Sequence, residues 1–411
     1  MNQFSQHPKK TELPIDLPRG FFTPVCQELY HALNQQGATT RFVGGCVRDV
    51  VLGQAVTDFD LATTHTPDAA TKILEQAGFN IEPIGINHGT ILAIKNKETF
   101  EVTTLRRDLQ TDGRHATVAF TTNFKEDAAR RDFTFNALYM DNAGHITDYF
   151  QGLDDLNAGL VRFVGIPEQR LQEDWLRALR YLRFYGRFGK TPPSKETYMA
   201  LKNAAPSLKT LSAERITSEV LKTALTAHPE QAFTLMQELG YFKALELEAF
   251  SLEQFKAYLN HYPNTPDPLV ALCAGFWGKL EENALLTTPH LRFSKKQKSF
   301  LKAMGAKNLA KITIENIPYS CWLLGAKNTA QLWRYGAVFH KESAFKEAAA
   351  QAEKTSTPPF PLKGTDIAPL GFKKGPEMGR ALEKTAVWWA QNNFPDKKAC
   401  LAWLKNNSKA L

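Results

Sequence analysis

The chain has 411 residues, 43 % hydrophobic and 22 % charged, with 50 basic against 42 acidic side chains and a formal net charge of +8. That composition excludes a fibrous or wholly disordered chain, and the length accommodates roughly two to four domains. No apolar run approaches the ~20 residues of a membrane helix, and the N-terminal MNQFSQHPKKTELP lacks the apolar stretch of a secretory signal, so no membrane partner is expected.

The modest basic excess suits a polyanionic partner without requiring one. Five cysteines (Cys26, Cys46, Cys273, Cys321 and Cys400) stand singly, which argues against a zinc site or a disulfide framework and points to a reducing cytoplasm. Residues 1–22 hold several prolines and read as a loose lead-in. Residues 24–36 place Val25, Leu29 and Leu33 at helical spacing before Gly37.

Residues 41–68, RFVGGCVRDVVLGQAVTDFDLATTHTPD, read as strand, glycine turn, helix and second strand. Gly44-Gly45 ends the first strand, and backbone N–H groups of such a turn can hold an anion. Arg48 and Asp49 follow on the helix. In the returning strand Asp58 and Asp60 share one face, while Phe59 and Leu61 take the other. Two adjacent carboxylates repel unless a cation lies between them, and oxygen ligands with substrate phosphates favour Mg²⁺. Alone, a Gly-Gly pair is usually a turn and an Asp-x-Asp a solvated edge. Together, in this order, they describe a nucleoside-triphosphate and metal site.

Thr66-Pro67-Asp68 reads as the start of a helix over Ala69 to Gln76, closed by Gly78. Residues 89–95 and 99–105 read as strands joined at Asn96-Lys97-Glu98. Residues 106–122 show no clean period and read as a long loop, with Asp112, Arg114 and His115 in it. The block Glu126 to Ala137, EDAARRDFTFNA, sets a charge run against an apolar strand at 137–140. A charge run is usually a solvated helix face; one abutting a core strand is placed to enter a cleft.

The spacing GG-xx-RD-(x)8-DxD resembles the signature of the DNA polymerase β-like nucleotidyltransferases, and in particular the bacterial branch of class II CCA tRNA nucleotidyltransferases and poly(A) polymerases. The Arg130-Arg131-Asp132 block resembles that branch's second motif. The resemblance implies an α+β protein: a polymerase β-like head with a small mixed or antiparallel sheet, then all-α segments. The expected divisions are a head at 23–150, a neck at 151–225, a body at 226–354 and a tail at 355–411 that binds tRNA. It further implies catalytic Asp58 and Asp60 holding Mg²⁺, with Glu101 from a neighbouring strand as a third carboxylate beside them; a surface strand glutamate is the equal alternative. Gly44, Gly45, Arg48, Arg130, Arg131 and Asp132 are implied to contact triphosphate and ribose.

After residue 150 the pattern is almost wholly helical. Residues 167–184 place Leu171, Trp175, Leu179 and Leu182 in one stripe and Arg170, Asp174 and Arg177 on another face of what reads as a single helix. An exposed i,i+3 ion pair is the plain reading. A carboxylate beside a guanidinium also fits cytosine and adenine, which both offer an amine donor beside a ring acceptor, and rejects uracil and guanine. The segment resembles the EDxxR motif of the class II CCA-adding enzymes. That implies Asp174 and Arg177 as a protein template, with Arg180 and Arg183 nearby for phosphates. Leu211 to Glu219 resembles a bracing ERIxxE motif, with Ser212 as the N-cap. Lys295, Lys296, Lys298 and Lys302 share a helix, and a Gly/Lys loop at 371–376 precedes another.

The implied reaction is addition of C, C and A to the 3′ end of tRNA from CTP and ATP, by a monomer or homodimer. The TDGRH pattern in 106–122, and a C-terminus without a long basic extension, favour this over a poly(A) polymerase. An A-adding enzyme, or a catalytically dead RNA-binding relative, is the remaining alternative; intact Asp58, Asp60 and Arg48 weigh against the latter.

Overall fold

The computed structural model describes residues 9–10, 15, 17, 20–35, 39–56, 58–85, 89–111, 116–261, 267–276, 284–303, 317–327, 329–330, 333–334 and 343–407. Asp112, Arg114, His115 and Gly37 lie outside these. The chain forms two compact units, 1–211 with 226–244, and 212–225 with 245–411.

The first unit is built on an eight-stranded sheet in the order β1-β10-β9-β2-β3-β6-β5-β4. Its strands are β1 (Lys9–Lys10), β2 (Thr40–Val43), β3 (Phe59–Thr63), β4 (Asn80–Gly85), β5 (Thr90–Lys95), β6 (Glu98–Thr104), β9 (Leu138–Met140) and β10 (Ile146–Asp148); a separate ribbon pairs β7 (Arg106–Thr111) with β8 (Ala116–Phe120). Among these pairings β3 with β6 is parallel and the rest are antiparallel. The sheet is therefore mixed, as the α+β reading expects.

Strand alternation sorts the side chains onto two faces. Phe42, Leu61, Phe100, Val102 and Met140 join one core with Leu29 and Leu33 of α1 (Pro24–Leu33), Cys46 and Val47 of α2 (Gly45–Val51) and Leu74 of α3 (Pro67–Gln76). Val43, Ala62 and Tyr139 face the other way, with Phe124 and Ala128 of α4 (Phe124–Ala129). Threonine caps begin α1 and α3: Thr23 and Thr66 accept from the backbone N–H groups of Cys26 and Ala69, each with a proline in the first turn.

Three local readings are corrected. Within 106–122, Arg106–Thr111 and Ala116–Phe120 form the β7–β8 ribbon rather than a loop: the pair lies outside the main sheet, and its described side chains are half-buried or exposed, so among them no buried apolar face shows as alternation. Lys9 and Lys10, within the expected loose lead-in, pair with Asp148 and Thr147 as an edge strand. The helix read over 167–184 is two helices, α6 (Pro167–Glu173) and α7 (Leu176–Phe188). Asp174 stands between them in extended conformation (φ −156°, ψ 105°), and its Oδ1 accepts from the Leu176 N–H at 3.1 Å. A short acidic side chain that can bond a nearby backbone N–H favours a helix start over a helix interior.

The apolar stripe survives the break, with Leu171, Leu179 and Leu182 buried and Trp175 half-buried. The unit continues through α5 (Gly152–Ala158), α8 (Lys195–Ala204) and the helix Pro229–Glu238. Gly186 lets α7 approach the start of that last helix, since a Cβ there would lie 2.6 Å from Thr226 Oγ1 and 3.0 Å from Ala232 Cβ.

Among its described residues, the regular elements of the second unit are all helices. Ser212 stands at the N-cap of the helix Ala213–Ala224, but its side chain makes no capping bond. In that helix Glu214 pairs with Arg292 at 3.3 Å, and Glu219 is buried. The four expected lysines do share one helix, Lys295–Ala303. Toward the C-terminus Trp389 is buried among Leu362, Ile367, Cys400 and Leu404, and Trp388 stacks on Trp403 with ring centroids 5.1 Å apart.

Candidate active site

The functional side chains assemble in the first unit. Asp58 is exposed immediately before β3, and Asp60 is half-buried on the strand. Asp60 and Glu101 are Cα partners across β3 and β6, so their side chains leave the same face of the sheet. Burial first, then the charges of Glu101 and Asp58, push the Asp60 carboxyl up to about 6, while Arg131 and Arg48 pull the other way. Such a carboxylate is stabilised by a cation. Among the described residues no three His, Cys, Asp or Glu side chains form a set that could hold a metal ion. Glu101 adjoins Asp60 across the strand pair. Two carboxylates are the number Mg²⁺ commonly takes when substrate phosphates supply the rest.

Behind the carboxylates, the Cys46 thiol donates to the backbone oxygens of Val43 (3.3 Å) and Asp60 (3.7 Å), tying α2 to both strands. Burial pushes that thiol up to about 11, so it stays protonated and remains a donor.

Gly44 sits at the turn with φ +75°, and its N–H donates to Leu138 O at 3.2 Å. A Cβ at Gly44 would lie 3.3 Å from Arg131 Nη1. The missing side chain therefore leaves room for the Arg131 guanidinium beside the turn. Arg131 and Arg130 both pair with Asp127, at 3.1 and 2.8 Å, and the Tyr139 hydroxyl donates to Asp127 at 2.7 Å. Burial alone would raise the Asp127 carboxyl; Arg131, Arg130 and that hydroxyl outweigh it and hold it at about 2. Asp127 thus anchors both arginines of the second motif in place.

Arg48, expected at the triphosphate, is buried. It donates to Asp49 (2.9 Å) and to Asn136 Oδ1 (2.7 Å), with its guanidinium 5.0 Å above the Phe184 ring. Asn136 Nδ2 in turn donates to Asp132 Oδ1 at 2.9 Å. Asp132 Oδ2 accepts from Arg180 Nε at 2.7 Å. Burial opposes the Asp132 charge, but Arg180 and Asn136 prevail and lower its pKa. At the other end Arg187 reaches Asp49 at 3.0 Å. Arg187–Asp49–Arg48–Asn136–Asp132–Arg180 is therefore one connected run of side chains, and it links all three sequence motifs.

Arg177 pairs with Glu173 at 2.5 Å and donates to the backbone oxygens of Arg170 (3.0 Å) and Arg130 (3.4 Å). Glu173 also takes Arg170 at 2.5 Å. The Arg183 guanidinium lies 4.3 Å from the Phe184 ring centroid. Of the sequence candidates, the structure draws Gly44, Arg48, Asp60, Arg130, Arg131, Asp132, Arg177, Arg180 and Arg183 into one neighbourhood through these contacts, and Gly45 adjoins them, since a Cβ there would lie 3.7 Å from Arg48 Nη2. Sequence reasoning passed over Asp127, Asn136, Glu173 and Arg187. The first two lie in the EDAARRDFTFNA block, and the signal was a carboxylate one helical turn before the paired arginines.

Residues 40–162 match the poly A polymerase head domain model, and residues 193–250 match one described as a probable RNA and SrmB-binding site of polymerase A. The chain is 34 % identical over 401 residues to the mitochondrial CCA tRNA nucleotidyltransferase 1 of Mus musculus, covering 94 % of this chain and 91 % of that one. The chain belongs to the CCA tRNA nucleotidyltransferases. A CCA-adding enzyme of Oceanobacillus iheyensis is 42 % identical over 200 residues, 48 % of this chain and 49 % of its own length. The crystal structure of the Bacillus stearothermophilus CCA-adding enzyme in complex with CTP superposes with a TM-score of 0.66 at 26 % identity, covering 95 % of this chain and 99 % of that one. Membership of the CCA tRNA nucleotidyltransferases makes the chain an enzyme of nucleotidyl transfer, a chemistry that uses a divalent metal. The polymerase β-like head and the CCA-adding activity expected from the motifs are thereby borne out, and the relatives span mitochondrial as well as bacterial enzymes.

Proposed function

We propose that this chain adds C, C and A to the 3′ end of tRNA from CTP and ATP, with Mg²⁺ held by Asp58 and Asp60 and with the base chosen by Asp174 and Arg177. The supporting observation is the placement of Asp60 beside Asp58 and Glu101, facing Arg131 at the glycine turn. When bound, the metal would neutralise triphosphate charge and lower the pKa of the attacking 3′-hydroxyl. Arg131 and Arg130, held in place by Asp127, supply fixed positive charge for the triphosphate and the leaving pyrophosphate. Glu173 orients the Arg177 fork, which donates to the ring acceptor of cytosine or adenine; Asp174 accepts from the exocyclic amine. The lysines of Lys295–Ala303 and of the 371–376 loop are the part of this reading that contacts the tRNA backbone.

The test is incubation with tRNA lacking its terminal CCA, given CTP and ATP separately and together. The expected products are two cytidines with CTP alone and a complete CCA end with both. A long adenosine tail from ATP alone would instead establish a poly(A) polymerase.

A further inference from the structure

Helix α7 carries Arg177 in its first turn and is tied down at two points, Arg180 and Arg187, seven residues apart. Seven residues are almost two full turns, so both arginines leave the same side of the helix. Each ends on a carboxylate, Asp132 and Asp49 respectively. Between those carboxylates stand Arg48 on α2 and Asn136, which is 6 % exposed. Arg48 is already charge-paired with Asp49, so Asn136 is the neutral link on which the continuity of the run depends. Its amide satisfies opposite demands, accepting from Arg48 and donating to Asp132. An ionised carboxylate of the same size only accepts, whereas the amide sets one acceptor and one donor side by side.

We infer that Asn136 is a positioning residue for nucleotide selection: it couples the glycine-turn helix to α7, and so holds Arg177, three residues before Arg180, at the angle from which it meets the base. This rests on the reading of Arg177 as the base-selecting group. Asn136 touches neither nucleotide nor metal in this role; it acts through Asp132 and Arg180. Charge-assisted bonds at both ends give the run its directional stiffness.

The experiment compares kcat/KM for CTP against UTP on tRNA lacking its CCA end. Asn136→Asp sets a second carboxylate against Asp132 and should lower the CTP:UTP ratio by about tenfold. The double variant Asn136→Asp/Asp132→Asn rebuilds an acid-amide pair in reverse order and should recover most of that ratio. A purely structural role would depress both nucleotides alike and leave the ratio unchanged, and that result overturns the inference. A double variant no better than the worse single overturns it too. Should these variants fail to give a cooperative melt, Arg187→Gln at the half-exposed end decides: a few-fold fall in the ratio supports coupling, an unchanged ratio rejects it. Arg177→Ala is the control for the underlying reading. If it leaves the ratio intact, base selection lies elsewhere; if it relaxes the ratio while Asn136→Asp does not, the coupling alone fails.

Discussion

Asp60 stands directly across from Glu101 on the parallel strand pair β3–β6, and a cation is what that juxtaposition calls for. Replacing Asp58 or Asp60 by alanine should reduce nucleotide incorporation by about a thousandfold or more, the loss of several kcal/mol of charge stabilisation, while tRNA binding persists in a gel-shift assay. Glu101→Gln removes the largest of the charges that raise the Asp60 carboxyl and should bring it back toward its ordinary range. Asp60 also carries a stability signature. Its carboxyl is raised to about 6, so the folded chain binds that proton more tightly than the unfolded chain. Stability from this group is present at low pH and is lost as pH rises through about 6. Asp60→Asn should therefore raise Tm at pH 7 without metal while abolishing turnover. A variant that keeps near-normal turnover would remove the metal reading.

Why some of this was legible in the sequence and some was not follows from range. Phe59 to Ala62 alternates because each side of β3 faces a different core, and that information is local. The break at Asp174 was hidden because Leu171, Leu179 and Leu182 keep helical spacing straight through it, while Asp174 itself turns extended and bonds the Leu176 N–H. Partner choice was not legible at all. Arg48 and Arg180 read as phosphate ligands, yet Arg48 is bound to Asn136, 88 residues away, and Arg180 to Asp132, 48 residues away. Their role depends on tertiary contacts that spacing along one helix cannot encode.

Base selection can be separated from chemistry. Arg177→Ala and Asp174→Ala should each relax discrimination against UTP and GTP. A good amine-plus-acceptor pairing is worth about 1–3 kcal/mol, or roughly a tenfold to hundredfold change in the CTP:UTP ratio of kcat/KM. Asp174→Ala also removes the bond to the Leu176 N–H, a helix-start interaction worth ~1 kcal/mol, so its Tm should fall by a few degrees. An unchanged nucleotide preference in both variants would move the template to other residues.

Asp127 gives a pH prediction of the opposite sign to Asp60. Its carboxyl is held at about 2 against an ordinary value of 3.8, so the unfolded chain takes up the proton first as pH falls. The stabilisation is present above about pH 4 and is lost as pH drops toward 2. The displacement corresponds to about 2 kcal/mol. Asp127→Asn should lower unfolding free energy by that order at pH 7 and make little difference near pH 2, measured by urea titration at both. It should also free Arg130 and Arg131 and raise KM for the nucleotide. An equal stability deficit at both pH values would mean that packing rather than charge is what Asp127 contributes.

Gly44 tests whether the turn is shaped for its own backbone or for Arg131. Any L-residue at φ +75° is strained, at about 1–3 kcal/mol, and a methyl group there would press on Arg131 Nη1 at 3.3 Å. Gly53 supplies the comparison: it too has positive φ (+63°), but a Cβ there meets nothing within 4 Å. Both alanine variants should lose Tm through backbone strain. Gly44→Ala alone should also lose incorporation rate beyond what its fall in stability explains, because the displaced guanidinium no longer faces the triphosphate. Measured well below both melting temperatures, Gly53→Ala should keep wild-type kcat/KM for CTP. If the two variants lose activity equally, the glycine at 44 serves the turn and not the arginine beside it.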